Sequence, residues 1–291
     1  MGPLIDPFLD NGFMVRALLA GVLVSISCAV VGTFVVLRGL AFIGDALAHG
    51  VLPGIAGALL IGAPGIVGAT VGALAMIGGV ALITRRSRLS SDTAIGLLFV
   101  GMLALGVVMV SRSSSFAGDL VAILFGQILG TSWESIGLQA LATLGVAVVA
   151  AVCARPFLLL AFDPEQADVA GFPSRRYHAI MLVLIALTVV VSFQVVGTLL
   201  VFGMLLAPAA AGALLAHRIG TMMAIGAVIG AISSYLGLLI SYWFDLAAGA
   251  SMVLVAVAIF FIVFIFSSWR DSRPRNGPVR SPGPPLEEAH G

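Results

Sequence analysis

Apolar runs of about twenty residues follow one another along almost the whole chain, each long enough to cross a hydrocarbon core of about 30 Å as a helix. No other feature restricts the fold as strongly, and an amphipathic surface helix would not account for runs of this length. Composition agrees: 60% of the 291 residues are hydrophobic and 9% are charged, where soluble domains carry about a quarter charged residues. The chain reads as an all-α integral membrane protein. Spans fall near residues 13–37, 41–62, 65–84, 92–111, 133–154, 178–198, 199–217, 221–243 and 247–268. That makes about nine, or eight if the Pro-interrupted seventh is not a crossing.

All fourteen basic residues are arginine. Without lysine a G-x-x-x-x-G-K-[ST] phosphate loop is excluded, so ATP, if used, must be bound and hydrolysed by another subunit. Cys28 and Cys153 lie in apolar runs without C-x-x-C spacing and read as small buried hydrophobes. The N-terminus lacks a basic start and an A-x-A cleavage site, so its first apolar run reads as a retained span.

Arginine collects at 84–91, 154–178, 217–220 and beyond Trp269, and nine spans place these four segments on one side. Short arginine-rich loops stay cytoplasmic, which predicts a multi-pass protein of the cytoplasmic membrane with its C-terminus inside. The expected organisation is an extracytoplasmic segment 1–12, a membrane domain 13–268 containing a cytoplasmic loop 154–177, and a polar, Pro- and Arg-rich tail 269–291 too hydrophilic to pack. "VVGT" recurs at 30–33 and 195–198, and D-x-A-x-G opens both the fourth and ninth spans at Asp92 and Asp245. Each echo links oppositely directed spans, a pattern that suggests two inverted four-span halves joined by the fifth span.

"GDALAHGVLPG" (44–54) contains the only acid and imidazole well inside one predicted span, Asp45 and His49. A charge at the bilayer centre costs at least about 2.5–3.5 kcal/mol, so such residues usually face a cavity and mark a pathway. Four-residue spacing on a helix puts both on one face, one turn apart. Carboxylate with imidazole suits manganese, zinc or ferrous iron. Pro53 removes the amide that would bond back to the carbonyl of His49, freeing a polar oxygen at nearly the same depth. Two ligands are too few for a selective divalent site, and a two-fold homodimer would supply four.

These residues resemble the membrane permeases of metal-uptake ABC transporters for zinc, manganese and iron. "FVVLRGLAFIGDALAHGVLPGIA", "SSDTAIGLLF", "LFGQILG", "FDPEQADVAGFP", "QVVGTLLVFGMLLAPAAAGALLA" and "LGLLISYWFDLAAGASMVL" follow in that family's order, from about residue 13 to 266. The resemblance implies a homodimeric permease of the type II importer class, a cytoplasmic ATPase dimer beneath it, and an extracytoplasmic metal-binding protein that delivers the ion. It implies a metal site at Asp45 and His49, the ion being transported substrate with no permanently bound cofactor, and no nucleic-acid partner. It also implies that the loop containing Asp163, Pro164, Glu165, Gln166 and Gly171 couples to the ATPase. By its own chemistry that loop reads as a short helix, with Asp163 as cap, Pro164 in the first turn, and Gly171 and Pro173 ending it.

Gln194, Met204 and Pro53 are weaker candidates for lining the path; a satisfied buried amide and a packing methionine are the plainer readings of the first two. Asp92, Asp119, Glu134 and Asp245 sit at span edges, and His178 and His217 beside cytoplasmic arginines, where capping and interfacial roles suffice. The competing function is a proton- or sodium-coupled secondary transporter using Asp45 and His49 as a relay. An intramembrane metalloprotease is disfavoured because H-E-x-x-H is absent.

Overall fold

The structure, a computed structural model, describes residues 6–111, 126 and 128–271, with backbone alone at 91, 194–196, 198–200 and 271. Among the described residues all regular structure is helical: α1 (Asp6–Asp10), α2 (Gly12–Leu37), α3 (Ala41–Leu60), α4 (Gly65–Arg86), α5 (Ser91–Ser111), α6 (Trp133–Val152), α7 (Ala154–Phe162), α8 (Pro164–Val169), α9 (Ser174–Val196), α10 (Thr198–Leu215), α11 (Ile219–Phe244) and α12 (Ala248–Asp271). A 3-10 turn, Ile128–Gly130, precedes α6. Eight of these helices are long and apolar enough to cross a membrane, and α10 contributes a shorter apolar stretch, Val201–Leu215. The predicted seventh span is therefore a helix, with Pro208 inside it. Its boundary with the sixth is set by Gly197 alone, whose φ of 88° and ψ of 158° lie in backbone territory that only glycine occupies readily.

The two VVGT copies have different settings: the first is interior to α2, whereas the second straddles that break. Of the D-x-A-x-G pair, Asp92 is in the first turn of α5, and Asp245 closes α11 in a left-handed turn with φ 51°.

α2 and α3 form the centre. Within their most apolar windows 67% of each is buried, against 17% for α5 and 22% for both α6 and α12. α2 packs against α6, α9, α10 and α11, and α3 packs chiefly against α4 and α5. Lipid tails are as apolar as leucine, so association inside a membrane relies on close packing and polar contacts. Ser25 Oγ lies 3.1 Å from Ser234 Oγ between α2 and α11. Thr143 Oγ1 donates to the Leu23 carbonyl at 3.3 Å between α6 and α2. Backbones meet where α3 crosses α4: a Cβ on Gly54 would fall on the Gly68 carbonyl, and one on Gly72 would stand 2.7 Å from the Gly50 carbonyl.

At the arginine-rich end, α7 buries Pro156, Phe157 and Leu160 while Leu158 and Phe162 remain exposed. That division is the pattern of a short helix lying in an interface plane.

Candidate metal site and coupling helix

α3 continues through Pro53 and carries Asp45 and His49 on one face, as their spacing requires. His49 Nδ1 stands 3.0 Å from the Asp45 backbone carbonyl and 3.3 Å from Asp45 Oδ1. Both neighbours are acceptors, so Nδ1 carries the proton and donates to the carbonyl. In the neutral ring Nε2 then keeps the lone pair that can meet a metal. Phe99 of α5 meets the imidazole edge to face, with centroids 5.0 Å apart, and restricts its rotation.

The His49 side chain is 13% exposed and that of Asp45 30%, so the pair reaches the surface of a single chain. One turn before Asp45, Phe42 is 72% exposed and extends the same strip. Among the described residues no three His, Cys, Asp or Glu side chains gather to hold an ion. One protomer therefore offers two side-chain ligands from its described residues.

Of the weaker pathway candidates, Pro53 is buried within α3 and Met204 is fully buried in the hydrophobic core. The Gln194 side chain and Asp119 lie outside the described residues. Glu134 is in the first turn of α6, whose cap Ser132 accepts from the Ser135 amide. His178 is engaged by an arginine, as Arg38 Nη1 donates to its Nδ1 at 2.8 Å; since guanidinium has no acceptor, the ring accepts and is neutral. His217 is exposed at the same end of the molecule.

The loop between α7 and α9 folds as its sequence indicates. Asp163 Oδ1 accepts from the Glu165 and Gln166 amides at 3.0 and 3.1 Å, and Pro164 takes the first position, where a missing N–H is harmless. α8 then stops at Gly171, with φ 83°, while the Phe172 amide returns to the Ala167 carbonyl at 2.9 Å. Asp163→Ala is expected to weaken α8 by about 1 kcal/mol, with Asp163→Ser retaining most of the cap. Hydrogen exchange at the amides of residues 165–169 is the measurement, and unchanged protection in the alanine variant contradicts it.

Two features of this loop escaped the sequence. Asp168 accepts from the Ser174 amide at 2.6 Å and the Ser174 hydroxyl at 2.9 Å, pinning the loop to the start of α9. Those bonds, assisted by Arg175, hold its carboxyl below the usual carboxylate range. Phe172, Tyr177, Phe157 and Phe34 then form an edge-to-face chain, with centroids 5.7, 6.5 and 5.1 Å apart, from the end of α8 to α2. Phe34 is more than a hundred residues from the other three, and the four occupy no common local pattern, so only the fold unites them.

A sequence profile of the ABC 3 transport family matches residues 10–267. The chain belongs to that family. Within it, the chain is 37% identical to the manganese transport system membrane protein MntC of Listeria innocua, over 90% of this chain and 94% of that one. It is also 37% identical to a probable iron transport system membrane protein of Haemophilus influenzae, over 92% and 98%. Among solved structures, PsaBC from Streptococcus pneumoniae in complex with Fab superposes with a TM-score of 0.81 at 35% identity, covering 90% of this chain and 94% of that chain. As a family member the chain is a multi-pass transport subunit, and the secondary-transporter reading loses its support.

Proposed function

We propose that this chain is the permease of an importer for a divalent first-row metal, manganese or ferrous iron, working by alternating access. The reading rests on one observation above all: a histidine inside a membrane helix whose Nδ1 is engaged by the Asp45 carbonyl, which leaves Nε2 as the nitrogen to meet a metal, with a carboxylate one turn away. Relatives named for manganese and iron transport favour those two ions over zinc.

Two ligands per protomer call for a second copy. The partly open strip of Phe42, Asp45 and His49 supports a homodimer with its axis beside α3, so that an ion is held by Asp45 and His49 of both copies. The arginine-rich face is cytoplasmic in this reading, with the tail on that side. A separate ATPase dimer docks on α8, with Asp163, Pro164, Glu165, Gln166 and Gly171 at the contact. Its movement reaches α2 through the Phe172–Tyr177–Phe157–Phe34 chain. An extracytoplasmic metal-binding protein delivers the ion to the opposite face.

Uptake by cells expressing the chain with its ATPase and delivery protein tests this. Labelled manganese and ferrous iron are expected to accumulate, to persist when proton and sodium gradients are collapsed with ATP maintained, and to stop when ATP is depleted. Accumulation that follows the gradients instead overturns the proposal.

A further inference from the structure

A cavity of about 770 Å³ opens at the arginine-rich end between α2, α6, α7 and the start of α11. Its walls include Val30, Leu37, Ala147, Ala151, Leu158 and Met223. Arg155, His217 and Arg218 line the same cavity, all three are exposed, and no Asp or Glu is among the lining residues. None of the three is ion-paired among the described residues.

Two chemistries thus share one groove. Val30 and Leu37 are on α2, and Ala147 and Ala151 on α6, both helices long and apolar enough to span, so the trough lies at membrane depth. The basic groups stand where spans end: Arg155 is in the first turn of α7 just after α6, and Arg218 immediately precedes α11 without capping it. The small alanines of α6 leave the trough open, and the exposed Leu158 and Phe162 of α7 add apolar surface to its wall.

We propose that this groove holds an anionic phospholipid, its phosphate against Arg155, His217 and Arg218 and an acyl chain along the alanine face of α6. A soluble anion would use the basic mouth and leave the apolar trough bare. A docked protein would have to enter a trough walled by two membrane spans, α2 and α6. A phospholipid satisfies both halves, and basic pockets between spans at the membrane surface select acidic headgroups. The inference requires that the chain sit in a bilayer and nothing about its metal.

The test uses the full-length chain in mild detergent, without metal, titrated with phosphatidylglycerol, with phosphatidylcholine of the same acyl chains, and with glycerol phosphate. Native mass spectrometry and thermal unfolding report binding. Phosphatidylglycerol is expected to bind and stabilise, and the other two to do so weakly. Each arginine contributes about fivefold, so Arg155→Gln with Arg218→Gln lowers affinity about 25-fold. The double lysine variant retains binding, and Ala151→Trp loses it by filling the trough with all charges in place. Equal stabilisation by glycerol phosphate or by phosphatidylcholine overturns the proposal. So does unchanged phosphatidylglycerol affinity in the double glutamine variant, including the case where that variant loses ATPase co-purification instead. Because no transport is measured, failure of the metal-import reading and failure of this one are separable.

Discussion

His49→Ala and Asp45→Ala permeases, each assembled with ATPase and delivery protein, should lose metal uptake by roughly a hundredfold or more. Changing a group that merely orients a metal ligand costs about 10–100-fold in affinity or activity, and removing the ligand itself should cost at least that. His49 is the sharper case: its Nδ1 is committed to the Asp45 carbonyl at 3.0 Å and its ring is held by Phe99, so the side chain presents Nε2 already oriented. Asp45 supplies negative charge for a dication, and Asp45→Asn, which keeps shape without charge, should fall nearly as far as alanine. If the two residues hold one ion, the double variant should be scarcely worse than either single one, since residues acting as a unit are not additive. A dimer with one altered protomer should also be impaired. The measurement is labelled manganese uptake alongside co-purification of the complex, which separates lost transport from lost assembly. Wild-type uptake in either alanine variant eliminates the site.

That pair was legible in the sequence for a simple reason: in a chain so poor in charge, an acid and an imidazole inside a span stand out, and spacing alone puts them on one face. The helices were equally legible, because twenty-residue apolar runs have few alternative fates. α8 could be read too, since Asp163, Pro164 and Gly171 are local signals with local geometry. Long-range pairings were hidden. Nothing near Arg38 in the sequence points to His178, and nothing near Phe34 points to Phe157, because both contacts arise from how α2 meets the arginine-rich end of the bundle. The helix boundary at Gly197 was misplaced by a residue or two for a related reason. Both flanks are equally apolar, so hydropathy carries no punctuation, and the positive φ that ends α9 is visible only in the backbone.

The crossing of α3 and α4 leads to the second large effect, an expected loss of folded protein in Gly54→Ala and Gly68→Ala. A methyl on Gly54 would strike the Gly68 carbonyl and come within 2.9 Å of the Gly72 amide nitrogen. One on Gly68 would strike the Gly54 carbonyl and sit 2.6 Å from the Ala58 Cβ. The obstacles are backbone, which has no rotamer to yield, so the helices must part. Overpacking of this kind costs typically 1–3 kcal/mol and sometimes more, against a total stability of about 5–15. Gly50 provides the milder case from the same helix, because the nearest atoms to its added methyl are Met76 Cβ and Cγ, both at 3.2 Å, a contact that a shift of a few tenths of an ångström relieves without parting the backbones. Thermal stability of the purified chain should therefore drop clearly for the substitutions at 54 and 68 and stay near wild type for Gly50→Ala. Equal stability across all three variants would mean that α3 and α4 do not meet backbone to backbone. Since Gly54 lies only five residues past His49 on the same helix, any Gly54→Ala protein that still assembles should also carry a displaced imidazole, and its metal uptake should fall further than its folded amount.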